Sequence, residues 1–289
     1  MRTVHLFLLA AFLPSLASPA PVLTVVDDSG VELRLLQPAQ RVISLSPHLT
    51  ELMFSIGAGD RLAGTVRGSD YPAEAAAIPE IGDSAGLDFE RILRSQPDVV
   101  LAWGSGNRFV DIERLRALGL RVLVVEPVEL SDIGRHLRLL GEVTGRDAQA
   151  QTQAREFESR VDALRKRYAG RPGLRVLFEI WHNPLFTVNG NHIISKVLAL
   201  CGGQNVFADL PRLAGEVSIE QVLVLDPDVI VVGSEAENAG VNNWMEFSYL
   251  KAVRRGNVFT VSADLITRQT PRIVDAAERM CAGLDKARR

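Results

Sequence analysis

The sequence has no basic surplus, few aromatic residues and only two cysteines. Its 289 residues carry 32 Lys and Arg against 35 Asp and Glu, which gives a formal net charge of −3. A dedicated nucleic-acid-binding protein carries extra basic residues to neutralise phosphates, so this balance argues against nucleic acid as a partner. With 47% hydrophobic residues, the chain is too apolar for a disordered protein and long enough for two lobes.

No hydrophobic run reaches the roughly 20 residues that a membrane-spanning helix needs. The apolar run nearest the amino end covers residues 4–13, with Arg2 before it and small residues around Ala17 after it. A short positive segment, an apolar core and small residues are typical of a secretory signal peptide. We therefore expect removal of residues 1–17 and a soluble mature protein in the periplasm. The alternative is a buried N-terminal helix.

Cys201 and Cys281 are the only cysteines of the chain. In an oxidising compartment an isolated pair usually forms a disulfide, so we expect these two to be joined. Two buried free thiols are the alternative. Because no further Cys or His stands at ligand spacing around Cys201, no metal site is predicted there.

The rest of the sequence is typical of an internal duplication. Residues 87–101 align without gaps on residues 217–231. Each copy predicts a helix capped by Asp88 or Ser218, then a Pro-Asp turn, then a continuous apolar strand of the kind buried in a parallel sheet. Further elements are predicted as a hairpin at 23–35, strands at 41–45 and 175–180, and a helix at 193–200. The pattern predicts an α/β fold of two Rossmann-like lobes with central parallel sheets.

A single long helix is predicted between the two halves. Apolar residues recur at steps of four and three on an otherwise charged stretch: Ala150, Ala154, Phe157, Val161, Leu164 and Tyr168. A helix of that length is a rod of about 35 Å, which makes it a rigid connector with little lobe movement. We place the N-terminal lobe at 21–143, the connecting helix at 144–170 and the C-terminal lobe at 173–289. The alternative is a helix that belongs wholly to one lobe.

Loops at the carboxyl ends of parallel strands face each other between two such lobes, and this cleft is the default ligand site. Aromatic residues are only 6% of the chain. Four of them nevertheless fall in predicted loops at this edge: Tyr71, Trp103, Trp181 and Phe186. Their convergence favours a ligand-binding role. His48, His182 and His192 could approach the same cleft, so a metal site built from them is an alternative.

A set of short motifs extends along the chain from about residue 40 to 285. They are Arg41 to Pro47 with Thr50-Glu51, Ser69 to Pro72, Pro97-Asp98, Ala102-Trp103, Cys201 to Gly203, Val217-Ser218 and Pro271 to Ile273. Together they resemble the periplasmic cobalamin-binding proteins of ABC importers. The wider class to which these belong has a rigid helical backbone and also serves siderophores, haem and metal chelates.

The resemblance implies which residues contact a ligand. Tyr71, Trp103 and Phe186 match positions that line the corrin pocket. The second lobe contributes one contact segment: Asp264, Leu265, Ile266, Thr267 and Arg268. Aromatic faces and a few polar groups suit a broad flat ring fringed by amides, so cobalamin is the expected ligand and no further cofactor is expected. Ser84 and Ala214 stand where the family has tryptophans, which keeps another corrinoid, haem or an iron-siderophore open as the ligand.

Glu90 and Glu220 match the two carboxylates, one per lobe, that dock on arginines of the permease dimer in the inner membrane. They are equivalent in the internal repeat, so a pseudo-twofold monomer presents both to a twofold partner. The alternative is structural, because an acid near a helix N-terminus is favoured by the helix dipole. The resemblance thus implies a carrier without chemistry. A metal-dependent enzyme is the rival, but no hydrolase, P-loop or zinc-peptidase motif is present in the sequence.

Overall fold

The computed structural model describes residues 22–83, 85–236 and 240–289. The predicted signal peptide at 1–17 and Ser84 lie outside the described residues. Within those ranges, no helix combines the length and the apolar character needed to cross a membrane.

The first lobe is built on a parallel sheet behind an antiparallel hairpin. Its elements are β1 (Leu23–Val26), β2 (Glu32–Leu35), β3 (Val42–Ser44), α1 (Pro47–Ser55), β4 (Leu62–Gly64), β5 (Gly82–Asp83), β6 (Gly86–Leu87), α2 (Phe89–Arg94), β7 (Val99–Trp103), α3 (Phe109–Ala117), β8 (Val122–Val125) and α4 (Leu130–Thr144). The sheet order is β4-β3-β7-β8, with all neighbours parallel. β1 and β2 pair antiparallel, which confirms the predicted hairpin.

The second lobe repeats this design. Its elements, which follow the connecting helix α5 (Asp147–Tyr168), are β9 (Leu174–Glu179), β10 (Phe186–Val188), α6 (Ile193–Leu200), β11 (Gly203–Asn205), β12 (Ala214–Glu216), α7 (Ile219–Leu225), β13 (Val229–Gly233), α8 (Val241–Met245), α9 (Lys251–Arg254), β14 (Val258–Val261), α10 (Ala263–Thr267) and α11 (Ile273–Ala287). The central sheet is parallel in the order β11-β9-β13-β14. Two α/β lobes with parallel sheets are therefore confirmed.

The two halves match at the predicted internal repeat. β7 and β13 occupy equivalent positions and have the same pattern of buried residues. The Asp88 side chain accepts the backbone N–H of Arg91 at 2.9 Å, and the Ser218 hydroxyl accepts that of Gln221 at 3.3 Å. Both predicted helix caps are confirmed. They fix the helix start in each lobe by satisfying a backbone donor that the helix leaves unpaired.

The connecting helix α5 has 22 residues, and all six apolar residues of its predicted stripe are buried. It packs against α4 of the first lobe and against α6 and α11 of the second. One apolar core continues from β1 and α4 through α5 into α11, while a smaller core fills the outer side of each lobe. A rod that shares its buried stripe with both lobes resists large relative movement of the lobes. The lobe boundaries given above stay predictions.

The predicted disulfide between Cys201 and Cys281 is confirmed. It joins the end of α6 to α11, with the two Cα atoms 4.7 Å apart. Both cysteines are fully buried in the shared core. The only disulfide among the described residues therefore cross-links two helices of the second lobe.

Candidate functional site

Two segments, one from each lobe, meet where the lobes face each other, and this contact region is called the seam. In the first lobe, β3 leads directly into α1, whose Glu51 is almost fully buried. In the second lobe, β14 leads through α10 into a segment of bends and turns at residues 268–272. Both segments follow the carboxyl ends of parallel strands, which is where an α/β lobe places its ligand groups.

An ion-pair network closes the seam between the lobes. One guanidinium nitrogen of Arg268 lies 2.7 Å from Glu51 Oε1, and the other lies 2.7 Å from Asp70 Oδ1. Arg272 reaches both carboxylate oxygens of Glu51, at 2.7 and 3.0 Å. A buried carboxylate is stable only when it is paired and fully hydrogen-bonded, and these two arginines supply that partner set.

Asp264 completes the network from the second lobe. Its carboxylate lies 2.6 Å from Arg268 and 3.1 Å from Arg272. Burial disfavours the charged guanidinium, but the hydrogen bonds to Glu51 and the field of Asp264 outweigh it and raise the pKa of both arginines. Both side chains are therefore firmly cationic, and they are fixed in direction by acids from both lobes.

Trp103 is positioned by the turn that follows β7. The side-chain oxygen of Asn107 accepts the backbone N–H of Trp103 at 2.7 Å, and its amide donates to the Leu45 carbonyl at 2.9 Å. Gly106 lies beside the indole ring, where a Cβ atom would come within 1.8 Å of it. Glycine is needed there because the ring occupies the space of any larger side chain.

Trp103 lines a cavity of about 410 Å³ between the lobes. The first lobe adds Glu126 to this wall, and the second adds His192, Ala214 and Gln269. Ala214 is thus at the cavity surface, where a larger side chain would reduce its volume.

Tyr71 lines a second cavity, of about 310 Å³, together with Arg272 of the network. The Arg272 guanidinium lies 3.6 Å from the centre of the Tyr71 ring, a cation–π contact. Glu51 and Thr270 also line this cavity. The two predicted aromatic contacts of the first lobe therefore line two different cavities, and of these only the Tyr71 cavity is also lined by Glu51 and Arg272 of the network.

Four other residues predicted to contact the ligand line neither of these two cavities. Phe186 begins β10 and is half-buried, and it lines neither of these two cavities. Ile266 is fully buried in the core, so its side chain offers no surface to a ligand in this conformation. Leu265 packs against the same core, and the exposed Thr267 donates its hydroxyl to the Ala263 carbonyl at 2.7 Å. Their ligand contacts stay predictions.

The three histidines that offered a metal-site alternative do not converge. His48 packs edge-to-face on Trp103, with ring centres 5.1 Å apart, whereas His182 lies in the second lobe beside Glu179. His192 caps α6 and lines the larger cavity. In the part of the chain that the structure describes, no group of three His, Cys, Asp or Glu residues could hold a metal ion.

Burial keeps two of these rings neutral. It lowers the pKa of His48 to about 3, with smaller contributions from His136 and Arg268, and lowers that of His192 to about 4. Both imidazoles are therefore uncharged near pH 7. They can accept or donate a hydrogen bond at the seam without adding charge to it.

Glu90 and Glu220 are exposed at the second positions of α2 and α7. Hydrogen bonds from the Ser218 hydroxyl and a backbone N–H lower the pKa of Glu220. Neither carboxylate lines a cavity at the seam. Both remain accessible to a partner.

Glu51, Arg272 and Gln269 are functional candidates that sequence reasoning missed. Glu51 and Arg272 stand inside motifs that carried the family resemblance, which was a usable signal, but their pairing was not visible. Gln269 carried no signal, since a single glutamine after a ligand-contact segment is unremarkable. Two loop predictions were also wrong: Trp103 and Phe186 lie at strand ends, because their backbones pair with β8 and β12.

Comparison with known proteins places this geometry in context. Residues 42–265 match the family described as "Periplasmic binding protein". A vitamin B12-binding protein of Vibrio cholerae serotype O1 is 35% identical over 253 residues, which cover 87% of this chain and 91% of the relative. The crystal structure of the periplasmic vitamin B12-binding protein of Vibrio cholerae matches at 34% identity with a TM-score of 0.83, covering 87% of this chain and 99% of that one. The apo haem-binding protein of Roseiflexus sp. RS-1 shares the fold, with 22% identity and a TM-score of 0.74 over 87% of this chain and all of that one.

Proposed function

The chain belongs to the periplasmic binding protein family, and we propose that it captures cobalamin between its lobes and delivers it to an ABC permease of the inner membrane. The family and the relatives are binding proteins, so the expectation of a carrier without chemistry is confirmed by membership. The proposal includes export to the periplasm through cleavage near residue 17.

The observation that carries the ligand proposal is the convergence of predicted contacts from both lobes on one seam. Tyr71 and Trp103 come from the first lobe, and Asp264 and Arg268 come from the second. Aromatic faces beside a few fixed polar groups suit a flat amphipathic ring with a polar fringe. The vitamin B12-binding relatives are consistent with such a ligand.

Ligand entry requires the seam to open. The two cavities, of about 410 and 310 Å³, stand at the small end of the range for ligand sites and share no lining residue. A corrin ring with its side chains needs both at once. Arg268 must therefore exchange Glu51 or Asp70 for the ligand, and the shared core along α5 keeps that movement small.

Delivery uses the outer surface. Glu90 and Glu220 are both exposed at equivalent helix starts, away from the seam cavities. A permease dimer with twofold symmetry offers the same arginine site twice, which suits one carboxylate from each lobe. Capture and docking are thereby assigned to different residues.

The main alternative ligand is haem or an iron-siderophore. Ala214 favours it, because the cavity wall lacks the large surface that the cobalamin binders have at this position. A related corrinoid with a bulkier fringe fits the same observation.

Retention of colour tests the proposal. The purified mature protein is mixed with cyanocobalamin and desalted, and we expect a red protein fraction with one equivalent bound. Haem and a ferric hydroxamate are run in parallel, with a heat-unfolded sample as the control for nonspecific retention. A colourless fraction with cyanocobalamin, together with retention of haem or the siderophore, would replace the proposed ligand.

A further inference from the structure

Four polar side chains at the seam carry buried atoms with no hydrogen-bond partner among the described residues. One of these atoms, Thr270 Oγ1, belongs to the lining of the Tyr71 cavity, and the other three lie at or beside the Trp103 cavity. These three atoms are His48 Nε2, Trp103 Nε1 and Gln269 Oε1. His48 and Gln269 are 3% and 4% exposed. Leaving a buried polar group unpaired lowers the stability of the folded state, so three such atoms in one place need an explanation.

The three groups share one location. Trp103 and Gln269 line the same cavity of about 410 Å³, from opposite lobes. His48 is not on that lining, but its ring packs against the Trp103 indole. It also lies on the same face of α1 as Glu51, three residues further along, and Glu51 faces the second lobe. The unpaired atoms therefore belong to the seam and not to the interior of either lobe.

The chemistry of the three groups is complementary to a primary carboxamide. The indole N–H of Trp103 is a donor only and suits a carbonyl oxygen. Gln269 offers a carbonyl oxygen that suits an amide N–H. His48 is neutral because burial lowers its pKa to about 3, and its Nδ1 is already bonded to the Ser46 hydroxyl at 2.7 Å. Its Nε2 is left without a partner in a ring that packs against Trp103.

From this placement we propose that Gln269 and His48, together with Trp103, form a subsite that recognises a primary carboxamide on the rim of the ligand. The inference rests on the proposed function and deepens it, since it names residues that select an amide-fringed ring over one with carboxylates. A carboxylate offers no N–H to Gln269. It also places its charge beside a buried acceptor, which disfavours binding.

The experiment is isothermal titration of the purified protein with cyanocobalamin and with its monocarboxylic derivatives, in which one rim amide is hydrolysed. The wild-type protein is expected to bind cyanocobalamin at least fivefold more tightly than one of the monoacids. Gln269→Leu is expected to bind cyanocobalamin three- to tenfold more weakly, the effect of one lost hydrogen bond, and to discriminate less between amide and acid. His48→Phe is expected to change both quantities in the same direction.

The ratio of amide to acid affinity separates recognition from a structural role, because a general disturbance of the seam weakens both ligands alike. His48→Gln places a polar group near the Nε2 position and is expected to restore the ratio. Gln204→Leu, at an exposed position of β11, is the matched control, and thermal unfolding shows that each variant is folded.

Two failures are distinguishable. If the wild-type protein binds no corrinoid, the proposed function falls and this inference falls with it. If the wild-type protein binds cyanocobalamin and Gln269→Leu and His48→Phe keep its affinity and its amide-to-acid ratio, the inference alone is overturned.

Discussion

The two lobes share the strands and capped helices of the internal repeat, but they have different side chains where they face each other at the seam. β7 and β13 have the same length and the same buried apolar pattern, and α2 and α7 start at matching capped positions. The agreement stops at the last strand residue, which is Trp103 in β7 and Gly233 in β13.

This difference follows from the symmetry of what each surface binds. A ligand without a twofold axis needs different side chains from each lobe, so duplication cannot preserve the strand ends. A partner with a twofold axis needs the same side chain twice, and Glu90 and Glu220 occupy equivalent helix positions. Substitutions at the seam are therefore expected to affect ligand binding differently in the two lobes. Docking, in contrast, is expected to depend on both glutamates together.

The largest expected effect tests the pair. Reversal of both charges, Glu90→Arg with Glu220→Arg, is expected to abolish ligand delivery, because two arginines would then face the arginines of the permease. The affinity for the ligand should hold, since neither carboxylate lines the seam cavities. Uptake into proteoliposomes that contain the permease, together with a ligand titration, measures both quantities.

The control for this pair is Glu142→Arg, at an exposed position of α4. It should leave delivery unchanged. An equal loss of ligand affinity in the double variant would place the two glutamates in ligand binding and not in docking.

Local patterns were sufficient to predict most of the fold. The stripe on α5 was visible from spacing alone, as were the caps at Asp88 and Ser218, because these features depend on residues within one or two helical turns. Ser46 shows the limit of such reasoning. It precedes α1 at the N-cap position and is a residue type that favours capping, but its hydroxyl bonds His48 and does not cap the helix.

The seam could be predicted only as a location. Glu51 and Arg268 are 217 residues apart in sequence, and nothing local indicates that they pair. The same holds for the contact of Arg272 with Tyr71, which depends on how the lobes meet across α5. The family resemblance predicts ligand contacts for Arg268 and Asp264, while the residues that orient their side chains are visible only in the tertiary structure.

The next largest effect is on the free energy of unfolding, and it comes from the disulfide of the second lobe. Replacing the disulfide by Cys201→Ala and Cys281→Ala is expected to lower the free energy of unfolding by about 4 kcal/mol, since the bridge closes an 80-residue loop. Urea unfolding of the oxidised wild type and of the variant measures this loss. Dithiothreitol should destabilise the wild type and leave the variant unchanged. A loss below about 1 kcal/mol would show that the bridge adds little to the buried packing around it.

A smaller effect is expected on ligand affinity, and it differs between a tryptophan of the first lobe and one of the second. Trp103→Ala is expected to weaken ligand binding by about 2 kcal/mol through lost ring contact. Trp181 is the matched control in the second lobe, because it is 64% exposed and lines a separate cavity beside Glu179. Trp181→Ala should bind as the wild type does. Equal losses in the two variants would show that the strand ends of both lobes contact the ligand alike.

The smallest expected effect is a pH dependence of stability that comes from one buried histidine in each lobe. The pKa values of His48 and His192 are lowered to about 3 and about 4, whereas an unfolded chain protonates histidine near pH 6.5. Between pH 6.5 and about 4 the unfolded state therefore binds more protons, so stability is full above pH 6.5 and falls as the pH drops. At pH 5.5 each ring is expected to cost about 1.4 kcal/mol, as an upper figure.

Urea unfolding at pH 7.5 and pH 5.5 measures this cost, because carboxylates with ordinary or lowered pKa values change little in that window. His48→Phe should remove the cost of the first lobe. His192→Asn should remove that of the second while keeping an N-cap on α6, where the His192 Nδ1 accepts the Ile194 N–H at 3.2 Å. If both variants show the same difference in stability between the two pH values as the wild type does, neither ring is held neutral by burial.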